Sequence, residues 1–547
     1  MFVFRKFIIS CILTGAVLFS LQTLAQTLPP SQPDPPKDWY SMDLKTDGYF
    51  GISLAQAYQF INGLKSKPVV VAIVDSGIDT LQKDLKGVLW INPKEKAGNG
   101  RDDDHNGYVD DIHGWNFLGG PNGKCDFSET EEEIREYHKL KGKYLSLTEA
   151  SATNKKEYTY WLRVKTEYDS TITKARKESG QLSPIMSAIV ETSGYIKRAL
   201  NLSTSQTFTK ADVESLKATN DTLAEVRNLW LIAFSEEVST STNVKVIKEL
   251  NEYMTRLNNE LNPDLEARER IVGDDPDVLK DKPYGNNKLK FMDSSHGTGV
   301  AGLVGAVRGN GYGIDGVADN VQIMAIKAVP IGDEYDKDEA NAIHYAVDNG
   351  AKIINMSFGK KISPHKEWLD EAYKYAAAHD VLLIQAAGND NQDMDVKPDY
   401  PNDIMADGSS TDADNVINVG ASGLKGDENL AATFSNYGKK NVDVFAPGVK
   451  VTSVDMDAEF ITDDGTSFSA PIVSGIAALI LEYYPTLNAK QVKQAILESA
   501  APLTGTMVNK PGTKEKVDFT TLSKTGGIVN AYKALQIASK MQGERKE

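Results

Sequence analysis

The sequence predicts an α/β fold in which helices cover both faces of a doubly wound, mostly parallel β-sheet. Two observations support this prediction. Short runs of β-branched and aliphatic residues alternate with helical patterns along most of the chain, which is the rhythm of βαβ units. The runs are apolar throughout rather than alternating with polar residues, as expected for strands that are buried on both faces.

The first predicted strand is Val69–Val74, a continuous β-branched run that ends in Asp75 and Gly77. Asp75 therefore stands at the carboxyl end of a strand, where ligands gather in open α/β sheets. Further strands are predicted at 321–329, 353–356, 381–386, 416–419 and 442–445, and helices at 52–64, 339–349, 368–379, 489–499 and 530–541.

A charged, helix-forming stretch from 129 to 267 interrupts this alternation. Apolar residues recur within it at helical spacing, as at Val246, Leu250 and Leu257. A structureless loop of that length is implausible inside a compact domain, so the stretch is predicted to be a helical insertion. Its charged faces are expected to be solvated, with partner binding as the alternative.

Composition and charge limit the classes of function. The 547-residue chain is 41% hydrophobic, which suffices for a sizeable core. Its 60 basic and 76 acidic residues give a formal net charge of −16, which argues against nucleic acid as the main partner.

The N-terminus has the pattern of a secretory signal peptide. Arg5 and Lys6 precede an apolar run, and Ala25 closes a small-residue cleavage pattern, so residues 1–25 are predicted to be removed. The apolar run is shorter than the roughly 20 residues of a spanning helix, so no stable membrane span is expected, although an uncleaved anchor is the alternative. The protein is therefore expected to be secreted or periplasmic.

The rest of the chain divides into few parts. Residues 26–38 are a Pro-rich linker, 39–541 form one folded domain that contains the insertion, and 542–547 are a charged tail. Of the 2 cysteines, Cys11 is lost with the signal peptide, which leaves Cys125 without a disulfide partner. Stability outside the cell is then expected to come from packing or from a metal ion.

Oxygen-bearing residues cluster around one glycine turn and predict a calcium site. The spacing D-x-D-x-N-G resembles the first half of an EF-hand loop, and carboxylates packed so closely repel one another unless a cation lies among them. The candidate ligands are Asp102, Asp104, Asn106, Tyr108 through its carbonyl, Asp110 and Asp111. His113 stands where such a loop requires a bidentate glutamate, and a solvated, Asx-rich turn is the alternative.

Three motifs carry the predicted chemistry. In one of them, Gly465 and Thr466 lead Ser467 into an apolar run that predicts a buried helix. A helix N-terminus has unpaired N–H groups and a dipole that favours negative charge, so Ser467 lies beside a potential oxyanion site. Taken alone, such a serine is more often an ordinary N-cap. Asp75 in VVVAIVDSGID and His296 in SSHGTGVAG supply the other two motifs.

Together the motifs resemble the active-site signatures of the subtilisin-like serine peptidases, in that family's order of Asp, His and Ser. The resemblance implies a subtilisin-like version of the predicted fold and a serine endopeptidase that acts on proteins or peptides. It implies Ser467 as the nucleophile, His296 as the base and Asp75 as the carboxylate that orients the base. Asn389, in the turn Ala-Gly-Asn, matches the family's oxyanion asparagine.

The same resemblance supplies candidate substrate contacts. The segment that ends in Ser357, Phe358 and Gly359 matches the family's substrate-binding strand, and Gly388 is a further candidate. Lys360 replaces a glycine that often follows this strand, so it is expected to alter the specificity pocket.

The alternative function is a catalytically silent, peptide-binding protein of the same fold that uses the insertion for partners. Such a protein is expected to have lost one of the four catalytic positions. All four are present in this sequence.

Overall fold

A computed structural model of the chain describes residues 34–235, 237–280, 283–409 and 412–545. The predicted signal peptide, most of the predicted linker and the end of the charged tail lie outside these residues. Contacts divide the described chain into two compact units. The larger comprises residues 37–139 and 264–545, and the smaller comprises residues 34–36 and 140–263.

A seven-stranded parallel sheet forms the centre of the larger unit. Its strands are β1 (Val69–Asp75), β2 (Gly114–Asn116), β3 (Val321–Lys327), β4 (Ile353–Met356), β5 (Leu382–Ala386), β6 (Val416–Ser422) and β7 (Val444–Pro447). They lie side by side in the order β2-β3-β1-β4-β5-β6-β7. The carboxyl end of β1 is thus flanked by the ends of β3 and β4, which is where the order reverses and where ligands bind in such sheets.

Helices cover both faces of the sheet. The described helices of the two units are, in chain order, α1 (Leu44–Asp47), α2 (Leu54–Ile61), α3 (Glu132–Tyr144), α4 (Lys155–Ala199), α5 (Lys210–Ser215), α6 (Asp221–Ala233), α7 (Asn243–Leu261), α8 (Ala267–Ile271), α9 (Ser295–Gly305), α10 (Asp336–Asp348), α11 (Lys366–Ala378), α12 (Thr466–Tyr483), α13 (Ala489–Ser499) and α14 (Ala531–Ala538). Helices α2, α9, α12, α13 and α14 pack into one core cluster, and α10 and α11 into the other. The predicted doubly wound α/β fold is confirmed.

The central strand explains why its sequence is apolar without alternation. Val71 and Ile73 of β1 belong to the first core cluster, whereas Ala72 and Val74 belong to the second. Both faces of β1 are therefore buried, as the β-branched run predicts. Helix α12 crosses the first face against β4 to β7. It is long and apolar enough to cross a membrane, but 89% of it is buried inside the fold, so it serves as a core helix.

Two antiparallel strand pairs complete the larger unit. They are β8 (Val451–Val454) with β9 (Phe460–Asp463), and β10 (Met507–Asn509) with β11 (Lys516–Asp518). The first pair lies against α9, where the hydroxyl of Ser453 donates to the carbonyl of Gly299 at 2.6 Å.

The smaller unit is helical. Helix α4 is 45 residues long and packs against α6 and α7. At its core the rings of Phe208 and Trp230 meet edge to face, with centroids 4.8 Å apart. Val246, Leu250 and Leu257, which the sequence marks by their spacing, are buried along one side of α7. This unit has its own apolar core, which the alternation of charged and apolar residues encodes.

Candidate active site

The carboxyl end of β1 and the first turn of α9 bring a carboxylate and an imidazole together. Asp75 is the last residue of β1, and His296 is the second residue of α9. The Nδ1 atom of His296 lies 2.7 Å from Oδ1 of Asp75, which is a short, charge-assisted hydrogen bond. Gly297 permits the approach, because a Cβ atom there would lie 2.2 Å from the carbonyl oxygen of Gly77.

The Asp75 carboxylate is almost wholly buried, with 1% of the residue exposed. Its Oδ1 atom also accepts the backbone N–H of Ser76 at 2.7 Å, while Oδ2 has no hydrogen-bond partner among the described residues. Burial lowers the pKa of His296, but the charge and hydrogen bond of Asp75 outweigh burial and raise this pKa above its ordinary value of 6.5. The pair therefore favours the imidazolium, the form that a general base adopts during the reaction.

The ring of Phe468 holds the imidazole from another side. The two rings meet edge to face with centroids 6.1 Å apart, and 28% of the His296 side chain stays exposed. Because Phe468 follows Ser467 directly, the histidine lies beside the start of α12.

Ser467 is the second residue of α12. Its hydroxyl donates to the backbone carbonyl of Ser357 at 3.1 Å, and the Ser357 hydroxyl donates to the carbonyl of Ser467 at 3.0 Å. The Ser467 proton is thus directed to Ser357 in this structure rather than to His296. Catalytic hydrogen bonds of substrate-free enzymes are often long or misaligned and tighten only when substrate binds.

Two N–H donors converge on the open side of Gly465. A Cβ atom at this glycine would lie 3.6 Å from the backbone nitrogen of Ser467 and 3.7 Å from Nδ2 of Asn389. Thr466 orients the Asn389 amide, because its N–H and its hydroxyl both donate to Oδ1 at 2.9 Å. With Oδ1 so engaged, Nδ2 faces the space beside Ser467, which is the arrangement of an oxyanion hole. Sequence reasoning missed the orienting role of Thr466, for which its place before the serine is the available signal.

The predicted substrate contacts leave the sheet at the same edge. Ser357, Phe358 and Gly359 follow β4, and Gly388 follows β5. The ring of Phe358 packs against the core on the side of α10 and α11. Gly388 has φ +101°, and a Cβ atom there would lie 2.4 Å from Nδ2 of Asn436, so this turn requires glycine.

Lys360, which was predicted to alter the specificity pocket, has a buried side chain that lies among carboxylates. Its amine is buried, 2.9 Å from a carboxylate oxygen of Glu132 and 2.8 Å from one of Asp336. It also donates to the carbonyl of Glu334 at 2.7 Å. These buried carboxylates at the starts of α3 and α10 neutralise the ammonium, so the charge of Lys360 is compensated within the fold.

The predicted metal loop forms an acidic cluster that includes one residue sequence reasoning missed. Glu95, Asp102 and Asp104 each offer an oxygen, and these oxygens lie within 4.8 Å of one another. One oxygen of Glu95 accepts the N–H groups of Asp103 and Asp104, at 2.7 and 3.1 Å. The other is buried without a hydrogen-bond partner among the described residues. Glu95 lies outside the loop spacing, so the fold alone reveals it.

The candidate ligands also contact protein groups, and this includes Asp102 and Asp104, which both accept the backbone N–H of Asn106 at 3.1 Å. Asp110 accepts two backbone N–H groups, and Asp111 accepts the hydroxyl of Tyr345 at 2.6 Å. Burial raises the pKa of Asp111 to about 6. Asn106 donates its side-chain amide to Asp111 at 3.2 Å, and the ring of Tyr108 packs edge-on against Tyr345. The cluster thus has an acidic centre, and aromatic side chains pack next to it.

A serine at a helix start, a histidine on a buried carboxylate and two donors around one glycine all lie at one edge of the parallel sheet, which is the arrangement that defines the serine-hydrolase class of site. The chain belongs to the subtilase family, whose model matches residues 66–527.

Several known proteases are similar in sequence to this chain. The chain is 34% identical over 234 residues to the thermophilic serine proteinase of Bacillus sp. (strain AK1), a match that covers 42% of this chain and 53% of that one. It is 37% identical over 213 residues to subtilisin DY of Bacillus licheniformis, covering 38% and 72%. It is 31% identical over 252 residues to thermitase of Thermoactinomyces vulgaris, covering 46% and 78%. The chain thus spans about half the length of the first relative and about three quarters of the other two.

Proposed function

We propose that this chain cleaves internal peptide bonds of protein or peptide substrates through an acyl-enzyme intermediate. The observation that carries the proposal is the 2.7 Å contact between His296 and the buried Asp75, beside Ser467 at the start of α12. A carboxylate, an imidazole and a hydroxyl in that order are the parts of a nucleophilic hydrolase.

The residues of the site divide the proposed reaction among them. The Ser467 oxygen attacks the carbonyl carbon, and its proton passes to Nε2 of His296, since Nδ1 is held by Asp75. When the tetrahedral intermediate collapses, the C–N bond breaks and the same proton goes to the leaving amine. Water then attacks the acyl-enzyme by the same route and frees Ser467. Throughout, Asp75 orients the imidazole and stabilises its charged form.

Digestion of a denatured protein tests this function. We expect mass spectrometry to find fragments produced by cuts inside the chain, because nothing in the proposed chemistry requires a substrate terminus. Products trimmed from the ends alone, or a bound but intact substrate, would contradict an endopeptidase.

Removal of the Asn389 amide is expected to weaken oxyanion stabilisation. For Asn389→Ala we expect kcat to fall about 10²- to 10³-fold with KM little changed, because the lost donor acts on charge that develops in the transition state. Steady-state hydrolysis of a peptide substrate measures this. A matched fall in both kcat and the fraction of labelled active sites would instead indicate a misfolded enzyme.

The alternative of a catalytically silent binding protein has no observation in its favour. Asp75, His296, Asn389 and Ser467 are all present, and the contacts among their segments suit catalysis. The helical insertion, proposed to span 129–267, then accompanies an active enzyme.

We propose calcium as a structural ion at the acidic cluster. Glu95, Asp102 and Asp104 would hold it, since hard carboxylate oxygens are the ligands that calcium prefers. The buried, unpartnered oxygen of Glu95 fits this group, because a cation would satisfy it. When bound, the ion would neutralise the mutual repulsion of the carboxylates.

Chelation is expected to lower thermal stability. A ligand that binds only the folded state at a hundredfold excess over its dissociation constant stabilises that state by about 2.7 kcal/mol. We therefore expect a chelator to lower Tm by several degrees, and Asp104→Asn to remove most of this response. Asp103→Asn is the matched control and should keep it. Equal melting with and without chelator in the unmodified chain would rule out the site.

We also propose that the enzyme works outside the cytoplasm, secreted or periplasmic. The pattern of residues 1–25 supports export, and one relative, from Bacillus subtilis, is a minor extracellular protease. Recovery of the protein from the cytoplasmic fraction alone would contradict this.

A further inference from the structure

A third segment of chain lies beside the proposed substrate contacts. The N–H of Lys360 donates to the carbonyl of Tyr400 at 2.7 Å, and the N–H of Tyr400 donates back at 2.8 Å. Gly359 lies close to the same segment, since a Cβ atom there would be 3.0 Å from the carbonyl oxygen of Tyr400. Tyr400 therefore lies beside Gly359, at the end of the segment 357–359, whose first carbonyl accepts the Ser467 hydroxyl.

Asp399 brings a carboxylate to this place. A Cβ atom at Gly388 would lie 3.3 Å from Oδ2 of Asp399. Gly388 directly precedes Asn389, whose amide faces the oxyanion position. The Asp399 carboxylate thus lies beside the turn that holds the reacting carbonyl, while its chain neighbour Tyr400 contacts the opposite substrate segment.

The charge of Asp399 is oriented but not cancelled by its hydrogen-bond partners. Its oxygens accept the side-chain amides of Asn436 at 2.9 Å and Gln392 at 3.2 Å, both neutral groups. An ionised carboxylate has about four acceptor positions, so two stay available to a ligand. Burial and the charge of Asp390 raise the pKa of Asp399 to about 6, which leaves the group ionised at pH 8.

One neighbouring cation is held elsewhere, while the charge of Lys397 acts on Asp399 and lowers its pKa. The Lys360 ammonium is committed to Glu132 and Asp336 in the buried ion cluster described above. Only the backbone of Lys360 is hydrogen-bonded to the segment that contains Asp399. The side of this space formed by 399–400 therefore presents a carboxylate whose side-chain hydrogen-bond partners are neutral amides.

We propose that Asp399 is a specificity-determining residue that selects lysine or arginine as the substrate residue whose carbonyl Ser467 attacks. The proposal rests on the proposed peptidase function and names its substrate class. A side chain that branches from the attacked residue starts next to the oxyanion position, within reach of the turn at Gly388. An ammonium or guanidinium there would donate to the available positions of Asp399 in a charge-assisted hydrogen bond.

Matched peptides test the preference. Two substrates that differ only in Lys or Met at the attacked residue are hydrolysed at pH 8 by the full chain, with active sites counted by a fluorophosphonate. We expect kcat/KM to favour the Lys peptide, and Asp399→Asn to reduce the Lys-to-Met ratio about 10- to 100-fold with the Met peptide little affected. Asp407→Asn, an exposed carboxylate paired with Lys374, is the control for net charge and should keep the ratio.

The outcomes that would contradict this specificity can be told apart from those that would contradict the peptidase function. An unchanged ratio in Asp399→Asn, or an equal fall for both peptides, overturns the selection of cations and leaves a purely structural residue. An unmodified chain that labels and cleaves but prefers Met also overturns it, whereas a chain that does not label contradicts the peptidase function itself. Should Asp399→Asn fail to fold, the salt dependence of the unmodified chain decides, because a preference based on charge must fall at high ionic strength.

Discussion

Ser467→Ala is expected to lose about 10⁶-fold in kcat and all labelling by a fluorophosphonate. Both effects need the nucleophilic oxygen, and the rate that survives would come from the oxyanion donors and substrate binding alone. Rates of peptide hydrolysis and the stoichiometry of labelling measure the two effects. Because the Ser467 hydroxyl makes one hydrogen bond among the described residues, to the carbonyl of Ser357, the variant should melt within about a degree or two of the unmodified chain.

The control is a second serine two residues away. Ser469 is fully buried, and its hydroxyl donates to the carbonyls of Ala446 and Pro447 at 3.0 and 3.1 Å. Ser469→Ala should therefore label fully and cleave normally, with a modest loss of stability. Labelling that persists in Ser467→Ala, or disappears in a folded Ser469→Ala, would show that the nucleophile is misassigned.

Asp75→Asn is expected to lower kcat by about 10⁴-fold, because an amide cannot hold the imidazole in the required tautomer or stabilise its charge. The loss should fall on kcat rather than KM, since Asp75 is buried behind His296. An effect below tenfold would mean that His296 does not depend on this carboxylate.

The same variant is expected to move the acid limb of the pH–rate profile. Asp75 raises the pKa of His296 above 6.5, and the neutral form, which acts as the base, appears only above that pKa. Without the carboxylate the pKa falls, so the residual activity of Asp75→Asn should persist to lower pH than that of the unmodified chain. A limb that stays in place or moves to higher pH would contradict the assignment of the base.

The sequence was sufficient for the parts of the site that local patterns encode. Asp75 follows a β-branched run, and Ser467 follows a small-residue turn into an apolar helix, so both could be placed on their elements. The strand β2 was missed because three residues are too few to show a period. The orienting bonds from Thr466 to Asn389 were also beyond sequence reasoning, because they join positions 77 residues apart.

The metal loop shows the limit of spacing arguments. The pattern of alternating oxygen ligands correctly indicated an acidic cluster, but spacing treats every carboxylate in the loop alike. In the fold, Asp110 accepts backbone N–H groups and Asp111 accepts a tyrosine hydroxyl. Glu95, which precedes the loop, joins the cluster instead. The fold decides which carboxylates come close enough together to share a cation, and no local pattern records that closeness.

The chain separation between Asp75 and His296 is 221 residues, and Ser467 lies further still along the sequence. During synthesis of the chain, Asp75 and His296 are therefore made well before Ser467. No nascent fragment that stops before α12 contains a complete catalytic set, whatever structure it has reached. The proposed activity can therefore arise only after α12 has docked on the sheet, so the order of the chain excludes it while the earlier segments are being synthesised.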